Sequence, residues 1–249
     1  MFHSGAVKSP IPDTQSLNVL TRSVTAATLC TNWSVHMTTK TAESGSSGRV
    51  RDGRSTREAI LEAASRLIHV HGYNRTSLDD VLRESGVGKG NFYYHFKSKE
   101  ELGYAILDQI IGSFLERTLE PCFADPEGDA LAQIHCFLDR VLVAQRESNC
   151  VGGCPLGNLA AELSDLHEGF RARLASVFAA WRDRLTLVLR AEQGRGGVGD
   201  ACRPDAVADF LVASLEGAIL LTKLTKDITV LEQCVAEMKR YLSLFEPRV

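Results

Sequence analysis

From Arg54 to the end of the chain, apolar residues return every three or four positions, and nowhere do they alternate as a half-buried strand requires. That regularity confines the chain to helix packed on helix. Ile60, Ala63, Ala64, Leu67 and Ile68 form the first stripe, and Ser55-Thr56-Arg57-Glu58 ahead of them matches a capping box. His71-Gly72 closes that helix. Leu78, Val81 and Leu82 carry a second, opened by Ser77-Leu78-Asp79-Asp80 and stopped at Ser85-Gly86. A short third helix spans Lys89 to Phe96, and Ser98-Lys99-Glu100-Glu101 caps a longer fourth. Longer stripes follow: Leu131 to Leu142, Phe170 to Leu189, Val207 to Leu221 after Pro204, and Leu231 to Phe245. The expected fold class is all-α.

Composition then narrows the setting. With 249 residues, 44% hydrophobic and 24% charged, the chain can bury one large or two modest cores. The most apolar stretch, Phe210 to Leu224, is interrupted by Glu216 and Lys223, so no membrane partner is expected. Seven cysteines at no repeating spacing point to free thiols in a reducing compartment, hence to the cytoplasm. Residues 1–48 differ from the rest. Sixteen of them are Ser or Thr, and Gly45-Ser46-Ser47-Gly48 reads as linker. They are expected to be a disordered tail, or a mis-assigned start with translation beginning at Met37. Residues 49–104 carry ten basic against eight acidic side chains, whereas residues 105–249 carry fifteen against twenty-one. A mildly basic segment is thus joined to an acidic body, which permits a nucleic-acid module.

Two short helices around a tight glycine-containing turn make residues 77–96 a helix-turn-helix candidate. In its second helix Phe92 and Phe96 are four apart and share the inward face. Three consecutive residues cannot all point inward, so Tyr93, Tyr94 and His95 are divided between the outer face and its borders, with Lys89 and Asn91. Such groups donate to phosphates or base edges in a major groove, and Gly90 lets backbone come close. Lys97 and Lys99 stand where the next helix begins and suit a phosphate. The plainer alternative for the lysines is a solvated face.

These residues carry a resemblance. Thr56-Arg57-Glu58-Ala59-Ile60-Leu61, Gly72-Tyr73-Asn74-Arg75-Thr76-Ser77-Leu78-Asp79-Asp80-Val81 and the run from Gly86 through Lys99 are similar to the DNA-binding domain of the TetR family of bacterial one-component repressors. The similarity covers residues 54–114 without gaps. It implies a DNA-binding domain over 54–114 and a helical effector-binding and dimerisation domain over 115–249. It also implies a homodimer through the two C-terminal helices, a palindromic operator in double-stranded DNA, and release by a small-molecule effector. Position by position, it implies that Thr76, Ser77, Lys89, Gly90, Asn91, Tyr93, Tyr94, His95, Lys97 and Lys99 are the DNA-binding set. Thr76 and Lys99 would lie on phosphate, and Lys89 and Asn91 on the base side.

One segment of the acidic body stands out, Cys150-Val151-Gly152-Gly153-Cys154-Pro155-Leu156-Gly157-Asn158-Leu159-Ala160-Ala161-Glu162-Leu163, whose two cysteines sit where the helical pattern breaks. A cysteine near a helix start can have its thiolate favoured by the helix dipole, and a second cysteine nearby can resolve it as a disulfide. This stretch and Glu216-Gly217-Ala218 to Lys223 resemble a subgroup of TetR-like regulators that includes electrophile-responsive repressors such as the N-ethylmaleimide reductase repressor. The resemblance places Cys154 on the reactive cysteine and Lys223 on a lysine beside it. Here Pro155 follows Cys154, a departure from that pattern. The alternative is that Cys154 is a small buried hydrophobe and Lys223 a snorkelling side chain. Cys122, Cys136, Cys202 and Cys234 read as packing residues and Cys30 as part of the tail.

Other signals lead nowhere. Gly194-Arg195-Gly196-Gly197-Val198-Gly199 satisfies G-x-G-x-x-G, but a long amphipathic helix precedes it where a dinucleotide site needs a strand, so it reads as an interhelix loop. No cofactor or metal is expected: His69 and His71 diverge by about 200° on a helix. The reading is a DNA-binding transcriptional regulator, a repressor released by a small molecule or electrophile. The alternative is a thiol-reactive all-α enzyme or scavenger using Cys150 and Cys154.

Overall fold

The computed structural model describes residues 53–247, and the expectations placed on residues 1–48 lie outside them. Among the described residues the regular elements are all helical. In chain order they are α1 (Gly53–His71), α2 (Leu78–Ser85), α3 (Lys89–His95), α4 (Lys99–Phe114), α5 (Ala130–Glu147), α6 (Pro155–Leu163), α7 (Glu168–Arg195), α8 (Pro204–Thr225) and α9 (Ile228–Ser243).

Local chemistry sets most of the boundaries. Ser77 caps α2, accepting the Asp80 amide, while the Asp80 carboxylate accepts the Ser77 amide in return. That carboxylate also takes the Ser77 hydroxyl and Arg83, which together hold its pKa at about 2. Ser98 caps α4 and Asp129 caps α5 in the same manner, each accepting amides of the first turn. At α1 the helix begins at Gly53, two residues ahead of the expected start at Ser55. The glycine-rich loop also starts later than expected, because Gly194 and Arg195 complete α7 and Gly196 ends it.

Two hydrophobic cores result. Ile60 and Ala64 of α1, Phe92 and Phe96 around α3, and Leu102 and Ile106 of α4 form the first. It is completed by Leu156, Leu159 and Leu163 of α6 and by Phe170 and Leu174 of α7. The second gathers α5, the latter half of α7, α8 and α9 around Phe137, Trp181, Leu211, Leu215 and Leu231. Helix α7, with 28 residues and a length of about 42 Å, runs through both. Phe114, Cys154 and Phe178 pack against both cores, which makes their neighbourhood the seam.

Helix α4 does not end cleanly. It continues through a π-helical turn, Leu115–Leu119, into a 3-10 turn, Glu120–Cys122. Contrary to the expectation of free thiols throughout, Cys122 is joined to Cys136 of α5 by a disulfide. The two are fourteen positions apart in sequence, and the packing of α5 against the end of α4 brings them together. Among the described cysteines Cys150, Cys154, Cys202 and Cys234 are free.

Candidate DNA-reading surface and sensing site

Phe92 is fully buried and Phe96 nearly so, with ring centroids 5.8 Å apart, and Arg57 of α1 lies over the Phe96 ring at 5.2 Å. These two anchors fix the rotation of α3, and the rotation decides what faces outward. Lys89, Gly90, Asn91 and Lys97 are exposed, Tyr94 is 83% exposed and Tyr93 47%, while His95 is half-buried with its ring 4.9 Å from Tyr94. A Cβ added at Gly90 would meet open space, so packing does not demand glycine there. Donors and aromatics therefore share one accessible face over two helical turns.

Two expected phosphate contacts are drawn away. Thr76 is only 2% exposed, and its hydroxyl donates to the Gly72 carbonyl at 2.8 Å. Lys99 is half-buried with its ammonium 4.4 Å above the Tyr73 ring. Burial lowers its pKa, against the attraction of Glu162. Thr76 thus belongs to the packing beneath the helix-turn-helix, while Lys99 lies partly covered at its edge. Ser77 is exposed, but its hydroxyl is engaged in the α2 cap.

The same packing ties this unit to α6. Glu162 accepts the Tyr73 amide at 2.8 Å and the Asn74 amide at 2.6 Å, the two residues that lead from α1 toward α2. No sequence signal marks Glu162, because one acid in a short helix reads as solvated.

The segment before α6 is bent hard. Asn149 and Cys150 hold φ of 51° and 58°, and Gly152 and Gly153 hold 82° and 71°. Left-handed backbone costs a non-glycine residue on the order of 1–2 kcal/mol, so neighbours must hold it. The Cys150 amide donates to Gln145, Lys226 donates to the Cys150 carbonyl at 3.3 Å, and the Asn158 amide nitrogen donates to the Gly152 carbonyl at 2.6 Å. The imidazole of His69, near the end of α1, lies on Gly152, where an added Cβ would fall 1.8 Å from Nε2. Burial depresses the His69 pKa, a backbone bond to Val151 opposes that shift, and Lys223 adds a smaller depression.

Cys154 is the N-cap of α6, and its sulfur accepts the Gly157 amide at 3.3 Å. The expected low-pKa thiolate is not what this geometry makes. Burial pushes the thiol well above its ordinary value, and the neighbouring Glu216 carboxylate pushes it further. The amides of Gly157 and Leu156 pull the other way and are outweighed. Nor does Lys223 stand on the sulfur: its ammonium donates to Asn158 Oδ1 at 3.0 Å and so steadies the Gly152 loop at second hand. Cys150 is buried, and the two cysteines are not bridged.

Glu216, which the sequence shows as an interruption of an apolar helix and as part of the Glu216 to Lys223 resemblance, has a role that neither pattern assigns. Its carboxyl lies over the first turn of α6, where a Cβ on Gly157 would come within 2.3 Å of Oε2. Burial raises its pKa and the bond to the Cys154 thiol opposes that shift. An acid on an otherwise apolar helix was the available signal. Elsewhere, an open cleft of about 740 Å³ between the end of α7 and the start of α8 is lined by Arg190, Gln193, Arg203, Asp205 and Asp209. Arg190 and Asp205 pair across it at 2.6 Å. Among the described residues no group of three or more His, Cys, Asp or Glu side chains is placed to hold a metal ion, and no helix is long and apolar enough to cross a membrane.

Comparison with known proteins meets this geometry at both ends. Residues 60–106 match the domain described as bacterial regulatory proteins, tetR family, and residues 130–238 match the tetracyclin repressor-like C-terminal domain. An uncharacterised HTH-type transcriptional regulator of Lactococcus lactis is 36% identical over 179 residues, covering 72% of this chain and 89% of its own. The crystal structure of a TetR transcriptional regulator from Chloroflexus aurantiacus superposes with a TM-score of 0.70 at 30% identity, covering 78% of this chain and 97% of its own. Reduced NemR of Escherichia coli superposes with a TM-score of 0.66 at 27% identity, covering 74% and 95%. With the helix-turn-helix at one end and the tetracyclin-repressor-like bundle at the other, the chain belongs to the TetR family of bacterial helix-turn-helix transcriptional regulators.

Proposed function

We propose that this protein is a dimeric transcriptional repressor that holds a palindromic operator in the cytoplasm and releases it when the seam around Cys154 is altered. The observation that carries the reading is the division of α3 into an anchored inner face, Phe92 and Phe96, and an outer face offering Lys89, Asn91, Tyr93 and Tyr94. Lys97 supplies phosphate charge beside it, and Thr76 and Lys99 support the unit from within. Relatives support repression as the sense of regulation, since NemR is named an HTH-type transcriptional repressor.

Dimerisation is assigned to α8 and α9. Phe210, Leu220, Leu221 and Leu224 are exposed apolar residues on α8, and Phe210 packs at 4.8 Å on Tyr241 of α9. Such a patch on a regulator of this family fits a second copy, and pairing it by a two-fold axis gives two recognition helices for two half-sites about 34 Å apart. The effector reading follows the strained loop. An adduct at Cys154, or a ligand lodged against it, disturbs Gly152, which His69 reports to α1, and α6, which Glu162 ties to Tyr73 and Asn74. An electrophile is the favoured effector, because Glu216 stands ready to take the thiol proton as sulfur attacks. The relatives are named as regulators, and no catalytic role is assigned.

The test is fluorescence anisotropy on labelled DNA from immediately upstream of the gene, at stated salt, with reduced protein before and after N-ethylmaleimide. Nanomolar binding abolished by the reagent, and retained on the same treatment in Cys154→Ser, is the expected result. Binding indifferent to the reagent keeps the repressor and discards the electrophile. Absence of binding to any duplex in a randomised pool discards both.

A further inference from the structure

The end of α4 and the turns that follow it are gripped by α5 through three kinds of contact. Phe114 and Phe123 pack on Phe137 with centroids 6.3 and 6.1 Å away. Arg140 donates through Nε to the Arg117 carbonyl at 2.9 Å and again through its terminal nitrogen. The third is the disulfide of Cys122 and Cys136, with Cα atoms 5.7 Å apart. The grip falls where helix geometry is irregular, on the π-helical turn Leu115–Leu119 and the 3-10 turn beyond it, and such turns mark places where a helix adjusts. At its other end α4 starts at Lys99, a few residues past α3. It is therefore a bar of about 24 Å with the DNA-reading helix at one end and the bridge at the other.

We propose that Cys122 and Cys136 form a reversible redox lock on α4, distinct from Cys154. The inference rests on the operator-binding reading above. A DNA regulator works where low-molecular-weight thiols are abundant, so a bridge in it exchanges with that pool unless fully enclosed. This one is not: Cys122 is buried, but Cys136 is only partly so. Closure takes an organic disulfide as oxidant. The Cys136 thiolate attacks one of its sulfurs and expels one thiol; the Cys122 thiolate then attacks the Cys136 sulfur of the mixed disulfide and expels the second. Two cysteine thiols and one organic disulfide become one protein bridge and two organic thiols. A dithiol reductant reverses both steps. Closed, the bridge pins the 3-10 turn to α5 and removes the adjustment at the end of α4 that two recognition helices need to meet two half-sites. The oxidised chain is the weaker binder.

The experiment titrates operator DNA with the full chain equilibrated in glutathione disulfide or in dithiothreitol, beside Cys136→Ser under both treatments. Thiols are counted by maleimide–polyethylene glycol gel shift. The lock predicts two fewer thiols in the oxidised wild type than in its reduced form, and operator binding weakened about tenfold. It also predicts recovery in dithiothreitol and no such difference in Cys136→Ser. Equal or tighter binding when oxidised, or an unchanged thiol count at these positions, overturns it. Amide exchange over residues 115–122 separates the two readings. If no duplex binds in either state, the repressor reading fails, and the lock stands or falls on whether those amides exchange more slowly when oxidised.

Discussion

Helix α3 and the loop that precedes α6 place their chemistry in opposite ways. In α3 the functional groups point outward from a short helix held by two phenylalanines. Between Asn149 and Cys154 they point inward, on backbone held in left-handed conformations by groups from α1, α5, α6 and the end of α8. The first region can lose an outward side chain without harm to the fold, because solvent replaces it. The second cannot, because each group is part of another's support. A reading head is thus built to be altered locally, and a sensing seam to transmit any alteration.

The comparison breaks most visibly at its anchors. Phe92→Ala removes the buried ring under α3 and is expected to cost about 3–5 kcal/mol in chemical denaturation, the largest effect predicted here. If the cost is under about 1 kcal/mol, α3 is not oriented by this residue. Gly152→Ala comes next. Its Cβ meets the His69 ring and its φ of 82° disfavours a side chain, so a loss of about 1–3 kcal/mol is expected, with a shift in operator affinity although the residue is far from α3. An affinity unchanged at that loss of stability would show that the loop does not report to α1.

On the reading head the pattern reverses. Asn91→Ala is expected to weaken operator binding about tenfold to a hundredfold at constant thermal midpoint, and Lys89→Ala to reduce the slope of log affinity on log salt by about 1. Midpoints that fall with affinity would erase the distinction between the two regions. Glu162→Gln sits between them. It weakens the acceptor for the Tyr73 and Asn74 amides and is expected to cost about 1 kcal/mol, with a measurable change in operator affinity.

The smallest effects are electrostatic. Glu216 is raised by burial, so its contribution to stability is full below the ordinary carboxyl range and is lost as pH rises through its folded value. Stability should therefore decline above about pH 4.5 at this site, and the decline should flatten in Glu216→Gln. Because the carboxylate also holds the Cys154 thiol up, that variant should react with N-ethylmaleimide with its pH profile displaced downward. A profile displaced upward would mean that the loss of a proton acceptor outweighs the loss of repulsion.

How much of this was legible differs between the same two regions. The helices, the Ser77 and Ser98 caps, and the inward pairing of Phe92 with Phe96 depend on residues within four positions of one another, and periodicity displays them. Thr76 and Lys99, expected on phosphate, are engaged within the fold by the Gly72 carbonyl and the Tyr73 ring. Their environment comes from Gly72 and Tyr73 in a loop whose path the pattern does not encode. For Cys154 the two open readings, a favoured thiolate and a small buried hydrophobe, are separated by contacts outside the local pattern. The helix start that favours thiolate is local, whereas burial at the seam and Glu216, sixty-two positions on, are not.

By itself the sequence determined an all-α chain with a helix-turn-helix at residues 77–96 and the outward set of α3, because capping and hydrophobic period act between near neighbours. Only the tertiary structure decided that α6 and the start of α7 complete the first core, that Glu162 holds the Tyr73–Asn74 turn, and that Cys122 meets Cys136. It also decided that Cys154 lies beside Glu216 in surroundings that raise its pKa. Those outcomes depend on desolvation and on partners brought from dozens of residues away, and short-range pattern carries no record of either.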